Sequence, residues 1–150
     1  MSAEPGALDA NILVYATNAD SPHHAATRAL IEAAREPTTA LYVTSQVLCE
    51  FYSVITNPRR IAAPRTPAEA RDAISALLAL PGIRVLPTPA RAVDSWIALL
   101  ERHPVTGGDV FDLQLVATMQ ANGVQRIYTF NRRDFAIFPE LTVVAPGETA

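Results

Sequence analysis

An α/β domain with a central parallel sheet is the fold class this sequence predicts, on three observations. Short apolar runs alternate with longer amphipathic stretches along the chain. Helix start and stop signals fall where that pattern changes. No repeat, low-complexity tract or linker interrupts the 150 residues, a length that suits one domain around one core.

The elements follow in order. A first strand is expected at 7–9, inside the apolar run Ala7-Leu8-Asp9-Ala10-Asn11-Ile12-Leu13. Ile12-Leu13-Val14-Tyr15 reads as a strand by propensity, yet Asp9 and Asn11 equally suit the end of a strand and the opening of a helix. Periodicity leaves both open. A helix is expected over 22–36 and a strand over 41–44. Ser45 is placed to cap a helix over 46–56, which Asn57-Pro58 stops. Thr66 precedes Pro67, a residue favoured at the first helical position, and opens a helix over 67–80. A strand at 83–86 leads to a helix at 89–102. Asp109 opens the last long helix, 109–122, and Asn122-Gly123 closes it. Strands at 126–129 and 142–144 complete the sheet.

Composition narrows the function classes. With 49% apolar and 18% charged residues the chain has the make-up of a folded globular protein. No apolar run approaches the length of a membrane span. Residues 1–6 lack a basic region followed by an apolar stretch, so no signal peptide and a cytoplasmic location are expected. Cys49 is the single cysteine, which excludes an intramolecular disulfide and a cysteine-based zinc site. The net charge of −3 is not that of a protein gripping phosphates over a broad surface. All 12 basic residues are arginines, whose planar fork suits phosphate oxygens locally.

The acids carry the chemistry. Asp9 would stand at the carboxyl end of the first strand, where ligands of parallel sheets collect; a helix cap is the competing reading. In the helix over 46–56, Val47, Leu48, Phe51, Val54 and Ile55 form an apolar stripe, and Glu50 lies on its edge. An acid there needs a partner, either an arginine or a shared metal. Asp109 and Asp112 share a face of the last long helix, where the helix dipole alone would favour them. Asn131 and Asp134 follow the strand at 126–129, at the same sheet edge as Asp9, with Arg132 and Arg133 between them. Hard oxygen donors without clustered Cys or His favour Mg²⁺ or Mn²⁺ over zinc.

Other chemistries lack their residues. His23, His24 and His103 fall in no zinc-binding spacing and are expected in solvent. Ser45 and Ser53 lack a nucleophile-elbow context, and no glycine-rich phosphate loop is present. Tyr15, Tyr42, Phe51, Tyr52, Trp96 and Phe111 fall mostly within apolar stripes and are expected in the core.

Four segments in this order carry a resemblance: Leu8-Asp9-Ala10-Asn11-Ile12-Leu13, Thr44-Ser45-Gln46-Val47-Leu48-Cys49-Glu50-Phe51, Asp109-Val110-Phe111-Asp112-Leu113, and Tyr128-Thr129-Phe130-Asn131-Arg132-Arg133-Asp134-Phe135. Together they resemble a PIN domain, of the VapC toxin type found in bacterial toxin–antitoxin pairs. The resemblance spans nearly the whole chain, and implies a single domain over 1–150 with a central parallel sheet flanked by helices in three layers. It places a helix start near Asn11. It implies a Mg²⁺-dependent ribonuclease, a small antitoxin partner and a homodimer. Asp9 and Asp109 would be metal ligands, Glu50 would complete the acidic cluster, and Asp112 would support it. Many PIN domains carry a further acid where this chain has Asn131; Asp134 stands close enough in sequence to substitute. Arg132 and Arg133 are the expected phosphate-binding residues. Two rival readings keep the fold: a PIN nuclease of RNA processing without an antitoxin, and a silent PIN-like binding module. An aspartyl phosphatase would need a second aspartate where Asn11 stands.

Overall fold

The computed structural model describes residues 3–148. Strands β1 (Gly6–Leu8), β2 (Leu41–Thr44), β3 (Ile83–Leu86), β4 (Arg126–Tyr128) and β5 (Thr142–Val144) form one five-stranded parallel sheet in the order β3-β2-β1-β4-β5. Helices α1 (Ala10–Ala16), α2 (His24–Glu32), α3 (Ser45–Ile55), α4 (Pro67–Leu78), α5 (Arg91–Arg102), α6 (Val110–Ala121) and α7 (Arg132–Phe135) connect them. The chain steps from β1 through β2 to β3 in one direction and then returns to the other side of β1. Right-handed crossovers therefore put α1 to α4 on one face and α5 and α6 on the other. The packing agrees: α1 touches α2 and α3, α3 touches α4, and α5 lies along α6. The strand order reverses at β1, so the crevice outside the carboxyl ends of β1 and β4 is the natural ligand position.

Local chemistry sets the element ends. Asp9 caps α1, which resolves the ambiguous stretch Ile12-Leu13-Val14-Tyr15 as helix. Thr44, not Ser45, caps α3: its hydroxyl accepts from the Val47 N–H at 3.1 Å. Thr66 and Glu69 form a reciprocal capping box ahead of α4, with Pro67 in its first turn. Gly123 takes the left-handed conformation (φ 70°) that ends α6 after Asn122. The helix expected over 22–36 is shorter, because its last turn tightens into a 3₁₀ segment at Ala33–Arg35. Asp109 lies in a second 3₁₀ turn, Gly107–Asp109, one residue ahead of α6. The short α7 follows β4 in a stretch where the sequence predicts no helix. Gly82 is required by space: a Cβ there would stand 2.8 Å from the Ala34 backbone, to whose carbonyl the Gly82 N–H donates.

Burial on α6 runs around the helix (Leu113, Leu115, Val116, Ala117 and Met119), as expected of a helix held between the sheet and α5. On α3, Val47, Phe51 and Ile55 form the buried stripe. Among the aromatics expected in the core, Phe51 is there, but Tyr52 and Phe111 are exposed. Phe111 opens α6 and overhangs the crevice instead of entering the sheet interface. His23, His24 and His103 are all half-buried, contrary to expectation. The His23 ring stacks on Phe130 with centroids 4.1 Å apart, and His24 Nδ1 lies 3.0 Å from the Tyr15 carbonyl oxygen. Among the described residues, no helix is long and apolar enough to cross a membrane.

Candidate active site

A groove of about 740 Å³ opens at the carboxyl edge of the sheet. Asp9, Glu50, Asp112 and Asn131 line it together, brought from β1, α3, α6 and the turn after β4. These residues lie as many as 122 positions apart in sequence (9 to 131).

Asp9 is at once a helix cap and a groove-lining residue, so the cap does not exclude a role in the groove. Its Oδ1 accepts from the Ala10 N–H at 2.8 Å and its Oδ2 accepts from the Thr129 hydroxyl at 2.8 Å. Only 7% of the residue is exposed. Burial pushes its carboxyl above the usual range, the bonds from Thr129 and Ala10 oppose that, and the charge of Asp134 adds to it. Thr129 is fully buried and was missed at the sequence level. Its hydroxyl donates to Asp9 while accepting from the Asn131 N–H at 3.0 Å and from Asn11 Nδ2 at 3.3 Å. The position directly after a central strand, opposite an acid after the neighbouring strand, was the available signal.

Glu50 is half-buried and faces the groove. Gln46, one helical turn earlier, donates to its Oε1 at 2.9 Å and to the Phe111 carbonyl at 3.0 Å. One amide thus ties α3 to the start of α6, beside Asp112. The arginine partner that a purely structural Glu50 would need is not found among the described residues; its hydrogen-bond partner is Gln46. Burial raises the Glu50 carboxyl, the Gln46 bond lowers it, and the charge of Asp9 raises it. A Gln four residues ahead of a Glu was the missed cue.

Asp112 feels every acid of the site. Burial first, then the charges of Asp9, Asp134, Glu50 and Asp109, push its carboxyl from 3.8 up to about 7. Asp109 is near enough to act on it electrostatically, but is itself exposed and outside the groove lining. Asp134 is exposed on α7 and acts on Asp9 and Asp112 by charge alone. Arg132 is engaged by Glu148 in an ion pair, and neither it nor Arg133 lines the groove. No arginine is among the influences that set the carboxyls of Asp9, Glu50 and Asp112.

The donor set fits a hard divalent cation. Carboxylates crowd one another without an internal positive charge, and a cation is what relieves that. As they stand, among the described residues no three Asp, Glu, His or Cys side chains converge closely enough to hold an ion. Gln46 and Thr129 hold two of the carboxylates in place.

The topology, the switch-point crevice and the acids that line it define a class, the parallel-sheet α/β domains with an acidic groove at the strands' carboxyl ends. The PIN domain family matches residues 7–141. The VapC ribonuclease Mb2897 of Mycobacterium bovis is 34% identical over 110 residues, 73% of this chain and 75% of that one. Ribonuclease VapC24 of Mycobacterium tuberculosis is 30% identical over 132 residues, 87% and 89% of the two chains. Among solved structures, the Mycobacterium tuberculosis toxin VapC20, described as cleaving the sarcin–ricin loop, superposes with a TM-score of 0.68 at 21% identity. It covers 93% of this chain and 98% of its own. VapBC2 of Rickettsia felis, bound to a DNA fragment from its promoter, gives 0.67 at 18% identity, over 95% and 99%. The chain belongs to the PIN domain family and, within it, to the VapC ribonucleases.

Proposed function

We propose that this chain cuts RNA endonucleolytically at the Asp9–Glu50–Asp112 groove with Mg²⁺, or Mn²⁺ in its place, as the toxin of a toxin–antitoxin pair. The observation that carries the reading is that Asp9, Glu50 and Asp112 line one groove with no arginine among the groups that set their carboxyls. A divalent ion supplies Lewis acidity toward a phosphoryl oxygen and makes water a stronger acid. The protein's own residues do the positioning. Thr129 and the Ala10 N–H fix the two oxygens of Asp9, and Gln46 fixes Glu50, leaving that carboxylate to orient and deprotonate the attacking water.

Of the pair near the start of α6, we assign the ligand role to Asp112 and an outer electrostatic role to Asp109. Asp112 lines the groove and Asp109 does not. Asn131, a groove-lining neutral oxygen donor, and Asp134, which acts through its charge, support the site from the β4 side.

Two relatives of known structure are toxin–antitoxin complexes, one from Rickettsia felis and one from Klebsiella pneumoniae. We extend that partnership to this chain as a small antitoxin. A homodimer, with twice the 16.2 kDa chain mass by light scattering, belongs to the same reading. The test is cleavage of a panel of structured RNAs with and without Mg²⁺. Asp9→Asn and Asp112→Asn should each lose about a hundredfold or more in rate, as expected for a lost ligand. Asp109→Asn should stay within about tenfold. Wild-type rates in Asp112→Asn would sink the assignment.

A further inference from the structure

The groove does not end at the acids. Along α3 its lining runs from Gln46 and Glu50 through Ser53 and Val54 to Arg60 and Ile61 past the helix end, and Val14 and Tyr15 of α1 line it as well. Glu50 stands about 8 Å along the α3 axis from the helix's last residue, at about 1.5 Å per residue. Arg60 follows beyond that end. Among the described residues it is the one arginine of the groove lining.

Its loop is a built turn, not a slack connection. The Asn57 side chain accepts from the Arg59 N–H at 2.9 Å, and the Asn57 carbonyl accepts from the N–H groups of Arg60 (2.9 Å) and Ile61 (3.2 Å). Arg65 then pins the loop to both helix ends. Its N–H donates to the Ile55 carbonyl at 2.7 Å and its guanidinium to the Thr17 carbonyl at 2.9 Å. The Arg60 guanidinium is exposed and makes no salt bridge among the described residues. Arg59, its neighbour, is equally exposed but points no atom into the lining. The groove therefore has an acidic end and a cationic end, separated along α3. Arg132 and Arg133, on the other side of the acids, are outside it.

We infer that Arg60 binds the RNA phosphate next to the one that is cut, so that the strand runs along the groove from the acids to the Asn57 turn. This rests on the ribonuclease reading above. A guanidinium offers a planar pair of N–H donors to phosphate oxygens, and a fixed turn limits what ordering it costs. A phosphate contact positions the strand and is indifferent to base identity.

The experiment measures steady-state cleavage of a fluorescent single-stranded RNA of mixed sequence in Mg²⁺, at several salt concentrations. It compares wild type, Asp112→Asn, Arg59→Ala, Arg60→Ala, Arg60→Gln and Arg60→Lys. Arg60→Ala and Arg60→Gln should raise KM about tenfold, the size expected for a lost charged hydrogen bond, with kcat within about threefold. Each should also make the dependence of log KM on log salt shallower by about 0.7, the increment for one single-strand phosphate. Arg60→Lys should fall between them and wild type, and Arg59→Ala should match wild type. Equal effects of Arg59→Ala and Arg60→Ala, whether both small or both large, would overturn the assignment while leaving the nuclease reading intact. A wild-type protein no more active than Asp112→Asn would instead overturn the nuclease reading itself.

Discussion

Removing the charge of Asp112 should make the metal-free protein more stable while abolishing its activity, and the size of the gain can be worked from the groove. Its carboxyl is pushed from 3.8 up to about 7, by burial and by the four carboxylates around it. That difference of about 3 pH units corresponds to about 4 kcal/mol, at about 1.36 kcal/mol per unit. Asp112 is only half-buried, so solvent screens part of this, and about 2 kcal/mol is the effect to expect. The sign follows from proton linkage. Between pH 3.8 and about 7 the native state holds a proton that the unfolded chain has released, so stability falls as pH rises. Below that window the penalty is absent, and above it the penalty is complete.

Asp112→Asn has no such proton to lose. In chelator, wild type and variant should melt together near the lower end of the window, separate through it, and differ fully above its upper end. The variant's Tm should then be higher by about 4–8 °C, for a chain of this size and about 2 kcal/mol. Differential scanning calorimetry across that range measures it. Saturating Mg²⁺ should reverse the order, raising the wild-type Tm and leaving the variant's nearly unchanged. Parallel pH profiles for the two proteins in chelator would refute the picture of Asp112 as the focus of mutual repulsion.

Two further substitutions test the supports of the site. Thr129→Val removes a buried hydroxyl that serves Asp9, Asn131 and Asn11, and should cost about 1–3 kcal/mol in chemical denaturation. It should also weaken Mg²⁺ binding by calorimetric titration, because Asp9 loses the bond that favours its charged form. Glu50→Gln should remove much of the thermal shift that Mg²⁺ or Mn²⁺ gives the wild type; an unchanged shift would return Glu50 to a purely structural role.

The fold was largely legible because its signals are local. The strands at 41–44 and 83–86, the Thr66-Pro67 helix start and the Asn122-Gly123 stop each lie within a few residues of sequence and were placed accordingly. Where the reading slipped by a residue, as at Ser45 against Thr44, two adjacent hydroxyls competed for one cap and only the backbone angle decided it. The groove was legible in the acids that line it, Asp9, Glu50 and Asp112, and illegible in their supports. Asp9 stood out as a charge inside an apolar run. Thr129 did not, because a threonine ending a strand is ordinary until the partner strand is known. The different placements of Asp109 and Asp112 were equally hidden. They share a helical face in projection, but the 3₁₀ turn at Gly107–Asp109 leaves the first outside the groove that the second lines.

Under the proposed function, the acidic net charge of −3 and an RNA substrate are reconciled by linkage rather than by a broad basic surface. Without a cation the groove presents carboxylates on which a phosphate has no favourable place. The same carboxylates concentrate divalent ions. Under the proposed function, then, metal binding prepares the groove for RNA as well as for chemistry, and the two affinities are coupled. Coupling of this kind is reciprocal: the factor by which saturating Mg²⁺ tightens RNA must equal the factor by which saturating RNA tightens Mg²⁺. Measured with a non-cleavable RNA analogue, by anisotropy in one direction and calorimetry in the other, the two factors should agree and exceed unity. In Asp112→Asn the coupling should shrink toward unity, because the acid that feels all the others no longer carries charge. A factor of one in the wild type would mean that the ion and the RNA do not meet in this groove.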